Sequence, residues 1–204
     1  MSLVPIPSQT AGPFFHLGLT AHRSIGNLVA DGVTGERIQL TCRVLDGEGV
    51  PVDDAMIEIW QADAEGRYSH PDDLRHNDLR QDDLRQNDAP RASGNSKFYG
   101  FGRLATDEHG TCTFATIKPG RVPGNGNTLQ SPHINVSVFA RGILKRLATR
   151  IYFAGDPANH DDPVLGLVPA DRRDTLLAKG HTQPNEWHFD IRLCGDGETV
   201  FFDV

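Results

Sequence analysis

Two strand-like segments that follow each other closely constrain the fold of this chain more than any other feature. Residues 131–142 and 149–153 are rich in β-branched and aromatic residues, and in the first segment a proline stands near the start and a glycine at the end. This pattern is typical of buried strands. Because side chains two positions apart on a strand point to the same face, we expect His133 and Asn135 to share one space. Two histidines at these positions could bind one metal ion, but the second residue is Asn135, whose side chain is a neutral amide.

Further strand signals predict an all-β fold with long loops. Apolar and polar residues alternate from 37 to 44, and residues 55–61 are apolar on both faces apart from Glu58. A hairpin is predicted over 101–117, with a four-residue turn at 107–110. Counting at least seven strands, we predict a two-sheet β-sandwich. The last two strands are expected at 187–193 and 199–202.

One short helix and one extended N-terminal arm complete the predicted fold. The helix is expected over 171–179, because acidic residues stand at its start, Lys179 comes late and Gly180 follows as a stop signal. Residues 1–36 contain scattered prolines and glycines without a sustained period, which predicts an arm that packs on a partner subunit. A flexible tail is the alternative. The domain itself is expected to cover 37–204.

Residues 70–97 form an insertion of a different character. Three copies of one pentapeptide begin at Asp73, Asp78 and Asp83, each with leucine in second place. A five-residue repeat places its leucines on one face of neither a helix nor a strand, so we expect a surface insertion. A solvated, charge-balanced loop is one interpretation of its acidic and basic residues, and a metal or anion site is the other.

Composition narrows the functional classes. The 204-residue chain has a formal net charge of -7, which argues against nucleic acid and anionic membranes as partners. It has neither an apolar run long enough to span a bilayer nor a signal-peptide pattern, so a cytoplasmic location is expected. Its three cysteines, which are widely spaced in strand-like segments, predict buried reduced thiols. They are Cys42, Cys112 and Cys194.

Short motifs along nearly the whole chain resemble the intradiol ring-cleavage dioxygenase family. The pentapeptide insertion is a departure from that family. The resemblance implies a non-haem ferric enzyme that cleaves a catechol between its two hydroxyl-bearing carbons and inserts both atoms of O2. The matching stretches are 8–13, 58–63, 101–103, 116–120, 132–135, 139–142, 151–153 and 197–203.

The resemblance also implies an iron site made of two tyrosines and two histidines, a set that suits Fe(III). Tyr68 matches the first tyrosine and His133 the first histidine. Val122 stands at the second tyrosine and Asn135 at the second histidine, while Gln130 replaces an expected arginine. Two ligands are too few to hold iron tightly. We therefore expect these five positions to be vestigial, with no metal and no catalytic residue in this chain alone.

The implied function then depends on a partner. In two-chain members of the family, a homologous subunit holds the Fe(III), and the chain without iron helps to wall the substrate pocket. Thr10, Gly12 and Pro13 match arm residues at that pocket, and Arg141 matches an arginine that faces a carboxylated substrate. A guanidinium suits that role because it binds carboxylates with charge-assisted hydrogen bonds. The alternatives are an interchain salt bridge for Arg141 and subunit clamping for the arm.

Two other functions stay open at this point. One is a self-sufficient intradiol enzyme that recruits ligands from Tyr99 or from the insertion. The other is a non-enzymatic carrier or adaptor that shares only the β-sandwich. Iron content and ring cleavage by the chain alone would distinguish the first, and co-purification with an iron-bearing relative would argue against the second.

Overall fold

The computed structural model describes residues 10–12, 17–21, 25–70, 73, 98–181 and 183–203. Within them no helix is long and apolar enough to cross a membrane. The helical residues are a short α-helical turn at 17–19 and 3₁₀ helices at Pro157–Asp161, Leu165–Leu167 and Ala170–Leu176. The strands are β1 (Arg37–Leu45), β2 (Met56–Gln61), β3 (Phe101–Ala105), β4 (Thr111–Ile117), β5 (Val122–Pro123), β6 (Leu129–Gln130), β7 (His133–Phe139), β8 (Leu147–Phe153), β9 (Leu177–Gly180) and β10 (Glu186–Arg192).

Two sheets form the β-sandwich that the sequence predicts. Their strands follow one continuous hydrogen-bonded order, β3-β2-β7-β8-β9-β10-β1-β4. The first sheet of the sandwich contains β3, β2, β7 and β8, and the second contains β10, β1 and β4. Strand β9 joins them, because it pairs in parallel with β8 and antiparallel with β10. Strands β5 and β6 form a separate pair.

The core lies between the two sheets and follows the alternation of the sequence. On β7, Ile134, Val136 and Val138 belong to the main core cluster. The intervening residues, beginning with His133 and Asn135, therefore point to the outer face of the first sheet. The opposite sheet contributes fully buried side chains, each of which stabilises the fold by about 1.5–3 kcal/mol. Among them are Leu40, Val44, Phe114 and Ile191.

The hairpin predicted over 101–117 is wrong. Strand β3 pairs with β2, whereas β4 pairs with β1 in the other sheet. The turn at 107–110 therefore carries the chain from one sheet to the other. Asp107 shapes this turn, because its Oδ1 accepts hydrogen bonds from the backbone N–H groups of His109 at 2.9 Å and Thr111 at 2.8 Å. The same side-chain hydrogen bonds stabilise a turn within one sheet and a turn that crosses between sheets. The sequence therefore does not distinguish the two connections.

The helix predicted over 171–179 is also wrong as a single element. A 3₁₀ helix covers Ala170–Leu176, and strand β9 starts at the next residue. Leu176 and Ala178 are both fully buried, and a spacing of two is typical of a strand rather than a helix. The segment is thus used to connect the two sheets.

The last two predicted strands differ in outcome. Residues 187–193 correspond to β10, which confirms that prediction. Residues 199–202 contribute only an isolated bridge between Ala148 and Phe202. This bridge nevertheless fixes the C-terminal segment against the edge of the site described below.

The cysteine prediction is confirmed for two of three residues. Cys42 and Cys112 are buried and reduced, and they lie directly opposite each other on β1 and β4. Burial raises the pKa of the Cys42 thiol and raises that of Cys112 to about 12, so both stay protonated. Cys194 is exposed, because the strand that precedes it ends at Arg192.

Part of the predicted arm packs on the body of this chain. Leu28 and Val33 belong to the main core, and the backbone of Ile25 exchanges hydrogen bonds with Arg103 of β3. Residues within 25–33, which fall inside the predicted arm, therefore contact the core of this chain. The boundary between arm and domain stays a prediction.

The pentapeptide insertion lies almost entirely outside the described residues. Of the three repeats over 73–87, only Asp73 is described, and its Oδ2 accepts a hydrogen bond from the backbone N–H of Tyr68 at 2.9 Å. The start of the insertion therefore touches the loop that carries a predicted site residue. Its surface character remains a prediction.

Candidate functional site

Three of the predicted site residues meet on the outer face of the first sheet. His133 and Asn135 lie two residues apart on β7, and Tyr68 lies on the loop after β2 with its ring stacked on Trp60, 5.8 Å between centroids. The Tyr68 hydroxyl lies 3.4 Å from Nε2 of His133 and accepts a hydrogen bond from the Asn135 amide at 3.2 Å. We call Tyr68, His133 and Asn135 the polar cluster.

Hydrogen bonding fixes the tautomer of His133. Its Nδ1 lies 2.8 Å from the carbonyl oxygen of Ser131. A carbonyl only accepts, so Nδ1 carries the proton and Nε2 is the acceptor that faces the Tyr68 hydroxyl. Burial lowers the pKa of His133 to about 4, and the positive charge of Arg150 lowers it as well. The imidazole is therefore neutral near pH 7.

Val122 and Gln130, the other two predicted positions, pair with each other on β5 and β6. Val122 is buried and carries no atom that binds a metal. The Gln130 amide nitrogen donates to the carbonyl of Pro123 at 3.1 Å, and its Oε1 accepts from Arg150 at 2.7 Å. Gln130 thus holds a guanidinium in place.

A glycine lets the loop that carries Tyr68 lie against the segment that carries Val122. Gly66 has a φ of 76°, in the left-handed region. A Cβ at this position would overlap the carbonyl oxygen of Arg121. Only glycine therefore permits the close approach, which keeps the two predicted tyrosine positions near each other.

The polar cluster does not fit a tightly held ferric ion. Fe(III) favours charged oxygen ligands with imidazoles. The cluster instead offers a phenol, an imidazole nitrogen turned towards that phenol, and a neutral amide. In the described part of the chain, no three His, Cys, Asp or Glu side chains are grouped to hold a metal. Tyr99, the alternative ligand, is 73% exposed.

The buried carboxylate of Asp162, which the sequence analysis did not identify, holds the backbone just before His133 at the start of β7. Asp162 accepts hydrogen bonds from the backbone N–H of Ser131 at 2.6 Å and from the Tyr152 hydroxyl at 3.1 Å. It also accepts from the backbone N–H of Leu165 at 2.7 Å. The sequence feature that could have indicated this role is the pair Asp162-Pro163, because an aspartate followed by proline is typical of the start of a turn.

A second candidate site lies at the opposite end of β7. A cavity of about 380 Å³ is bounded by arm residues 10–12 and by the loop that follows β7. Thr10 Oγ1 accepts a hydrogen bond from the backbone N–H of Gly142 at 2.7 Å, which fastens the arm to this loop. Lys145 and Arg146 also line it. We call this the arm cavity; Pro13, also predicted there, lies outside the described residues.

Arg141 lies in the loop beside the arm cavity. Its Nε lies 3.1 Å from Oδ2 of Asp54, and one terminal nitrogen lies 3.6 Å from Oδ1 of Asp53. The Arg141 side chain is 74% exposed, and ion pairs at such sites contribute little to stability. The guanidinium is therefore oriented by its own chain and remains accessible to another carboxylate.

The two sites are well separated. His133 and Phe139 are the first and last residues of β7. At about 3.3 Å per residue, the strand spans roughly 20 Å. A small ligand held in the arm cavity therefore does not reach the polar cluster of the same chain.

Comparisons with known proteins agree on one family. The sequence profile described as Dioxygenase matches residues 10–195. The protocatechuate 3,4-dioxygenase alpha chain of Pseudomonas putida is 42% identical over 214 aligned positions, covering 97% of this chain and 95% of that one. The beta chain from Burkholderia cepacia is 38% identical over 192 positions, covering 90% and 75%. The intradiol ring-cleavage dioxygenase from Tetranychus urticae shares the fold, with a TM-score of 0.56, 21% identity and coverage of 91% and 92%.

Proposed function

The chain belongs to the intradiol ring-cleavage dioxygenase family of non-haem iron enzymes, and we propose that it is the alpha subunit of a protocatechuate 3,4-dioxygenase. In this proposal it completes an active site whose ferric iron is held by a homologous beta subunit. The reaction converts protocatechuate and O2 to 3-carboxy-cis,cis-muconate. The bond between the two hydroxyl-bearing carbons breaks, and both oxygen atoms enter the product.

The distance between the two candidate sites is the observation that carries the proposal. The arm cavity holds basic groups suited to a carboxylated substrate, whereas the polar cluster lies at the other end of β7 and suits iron poorly. Substrate recognition by the arm and its loop therefore needs a metal from another chain. The match to both an alpha and a beta chain supports a homologous partner as the source.

The role of this chain is to bind and orient the substrate. Arg141 supplies a guanidinium that Asp54 holds in position, and Arg146 adds a second positive charge at the arm cavity. Such charges attract an anionic substrate and bind its carboxylate. Thr10 and Gly12 line the cavity on the arm side, and the hydrogen bond that the backbone N–H of Gly142 donates to Thr10 keeps this part of the arm in place. Pro13 is assigned to the same wall by the family resemblance alone.

The polar cluster is then a remnant of an iron site. Tyr68 and His133 keep two of the four ligand positions, whereas Val122 and Asn135 have lost the other two. The amide of Asn135 donates a hydrogen bond to the Tyr68 hydroxyl where a ligand would bind iron. Gln130 stands where the family has an arginine, and its side-chain oxygen accepts a hydrogen bond from Arg150.

The proposal includes a cytoplasmic complex. Cys42 and Cys112 face each other as free thiols on paired strands. Closely opposed cysteines that stay reduced are typical of a reducing compartment. This supports the location without depending on the reaction.

Co-expression with an iron-bearing relative tests the proposed function. We expect a stable complex with equal amounts of the two chains, in which protocatechuate consumption matches O2 consumption. Each chain alone should turn over the substrate far more slowly. Failure of the two chains to associate, with full activity in the relative alone, would contradict the proposal.

A further inference from the structure

A second cavity adjoins the polar cluster on the outer face of the first sheet. It has a volume of about 430 Å³, within the usual range for small-molecule sites. It lies between strands β7 and β8 and the C-terminal segment that bridges to Ala148. Its polar and aromatic lining includes Asn135, Ser137, Arg146, Arg150, Phe202 and Asp203.

Arg150 gives this cavity its chemical character. It lies directly opposite Asn135 on β8, and it donates a hydrogen bond to the neutral side-chain oxygen of Gln130 at 2.7 Å. Within the described ranges, no carboxylate forms an ion pair with its half-buried guanidinium. Its charge reaches the polar cluster, because it contributes to the lowered pKa of His133. The nearest buried carboxylate, Asp162, is separated from it by the Tyr152 hydroxyl that donates to that carboxylate. A partly desolvated cation without a direct ion pair is a favourable site for an anion.

We propose that this cavity binds a small planar carboxylate with an aromatic or olefinic body. Arg150 takes the carboxylate, and the ring of Phe202 with the side chain of Val164 provides the apolar wall. On the floor formed by β7, Ser137 adds a hydroxyl donor, while the Asn135 amide nitrogen already donates to Trp60 and Tyr68. The site needs neither iron nor a ring-cleavage step.

One acidic residue lines the cavity and has to be accounted for. Asp203 lies at the exposed end of the C-terminal segment, and its Oδ1 is 3.5 Å from Nζ of Lys145. That lysine offsets its charge. Two guanidiniums, Arg150 and the Arg146 that this cavity shares with the arm cavity, therefore outweigh the one carboxylate, and the net charge of the lining is positive.

The ligand proposed for this cavity agrees with the charges of two residues next to it. An iron site needs anionic ligands, whereas Asn135 is neutral and Arg150 is positive. Arg150 disfavours a cation and favours an anion, whereas the neutral Asn135 adds no negative charge. The former iron site and its surroundings therefore suit a negatively charged ligand, a carboxylate, instead of a positively charged metal ion.

Calorimetric titration of the full chain with benzoate tests the site. We expect binding at millimolar benzoate, and at least tenfold weaker binding of benzamide, which has the same shape without the charge. Arg150→Gln should weaken benzoate binding at least tenfold. Arg37→Gln, an exposed arginine on β1 of the other sheet, is the matched control and should leave the affinity unchanged.

A further variant separates binding from folding. Arg150→Lys keeps the charge but loses the planar fork, so it should retain part of the affinity that Arg150→Gln loses. In a complex with a beta subunit, benzoate should occupy one site fewer per pair in Arg150→Gln than in the unmodified protein. Absence of benzoate binding, equal affinity for benzamide, or an unchanged affinity and site count in Arg150→Gln would overturn the proposal.

Discussion

The hydroxyl of Tyr68 lies 3.4 Å from Nε2 of His133, so the two atoms best suited to a metal face each other. Asn135 donates to the same hydroxyl at 3.2 Å, and the other nitrogen of His133 bonds to a backbone carbonyl. The three side chains thus form a closed, neutral hydrogen-bonded chain. A ferric ion would have to break these bonds and would gain only two good ligands.

The neutral state of His133 predicts a loss of stability on acidification. Its pKa is about 4 in the folded protein against 6.5 ordinarily, so the unfolded chain binds more protons between these values. Stability therefore falls as the pH drops through this window. We expect the free energy of unfolding to decrease by about 2 kcal/mol from this residue between pH 7 and pH 5.

Urea unfolding at the two pH values measures this contribution. The variant His133→Gln should lose most of the decrease, whereas His109→Gln, with a side chain that is 78% exposed, should keep it. If His133→Gln retains the full pH dependence, His133 is not the group that titrates.

Restoring the two missing ligands should restore iron. Val122→Tyr with Asn135→His recreates two phenols and two imidazoles, the set that suits Fe(III). Val122 is buried, so we expect the larger ring to lower the stability by about 1–3 kcal/mol. Metal analysis and a visible tyrosinate-to-iron absorption band measure the gain.

The matched control for iron recovery is Val122→Phe with Asn135→Gln, which has similar volumes without ligand atoms. Adding Arg150→Gln to the restored pair should increase the bound iron further, because it removes a neighbouring positive charge. Equal iron in the control and the restored pair would show that the regained metal does not bind at these positions.

Removing the guanidinium of Arg141 should impair recognition of a carboxylated catechol. In the co-expressed complex, we expect Arg141→Ala to raise the KM for protocatechuate about tenfold or more. The KM for catechol, which lacks the carboxylate, should change little. Stability should change by less than about 0.5 kcal/mol, because the ion pairs of Arg141 are exposed.

Arg43→Ala controls for the loss of an exposed, ion-paired arginine. Arg43 bonds to Asp190 at 2.8 Å on the other sheet, and its removal should leave both KM values unchanged. An unaltered KM for protocatechuate in Arg141→Ala would favour a purely structural role for that residue.

The hydrogen bond between Thr10 and Gly142 should hold the arm at the cavity. Thr10→Val keeps the shape and removes the acceptor, which is expected to cost about 1 kcal/mol and to raise the KM for protocatechuate severalfold. Thr113→Val removes a comparable side-chain bond to Thr41 on the other sheet. That control should leave the KM unaffected, and equal effects of both substitutions would argue against a specific role of the arm.

The pattern of apolar residues was sufficient to predict the strands but not their partners. The period of two located β1 and β10, while runs of apolar, β-branched and aromatic residues located β2 and β7. Neither pattern showed that the turn at Asp107 crosses between sheets, since the same side-chain bonds form in either case. Leu176 and Ala178 were assigned to a helix because the capping signals around them fit one, whereas tertiary pairing makes the segment bridge the two sheets.

The site was predictable where spacing alone determines geometry. A spacing of two brought His133 and Asn135 to one face, and the family resemblance added Tyr68. Arg150 was missed, because an arginine in a predicted strand ordinarily extends into solvent. Only the register of β8 against β7 places it opposite Asn135, and register depends on long-range pairing that one sequence does not specify.

The central claim is that this chain holds no iron of its own and works at the metal of a partner. Metal analysis of the full chain expressed alone in iron-replete medium tests it most directly, with the co-expressed pair measured alongside. We expect far less than one iron per chain in the lone protein and one iron per pair in the complex. One tightly bound iron per chain in the lone protein, lost on substitution of Tyr68 or His133, would contradict the account.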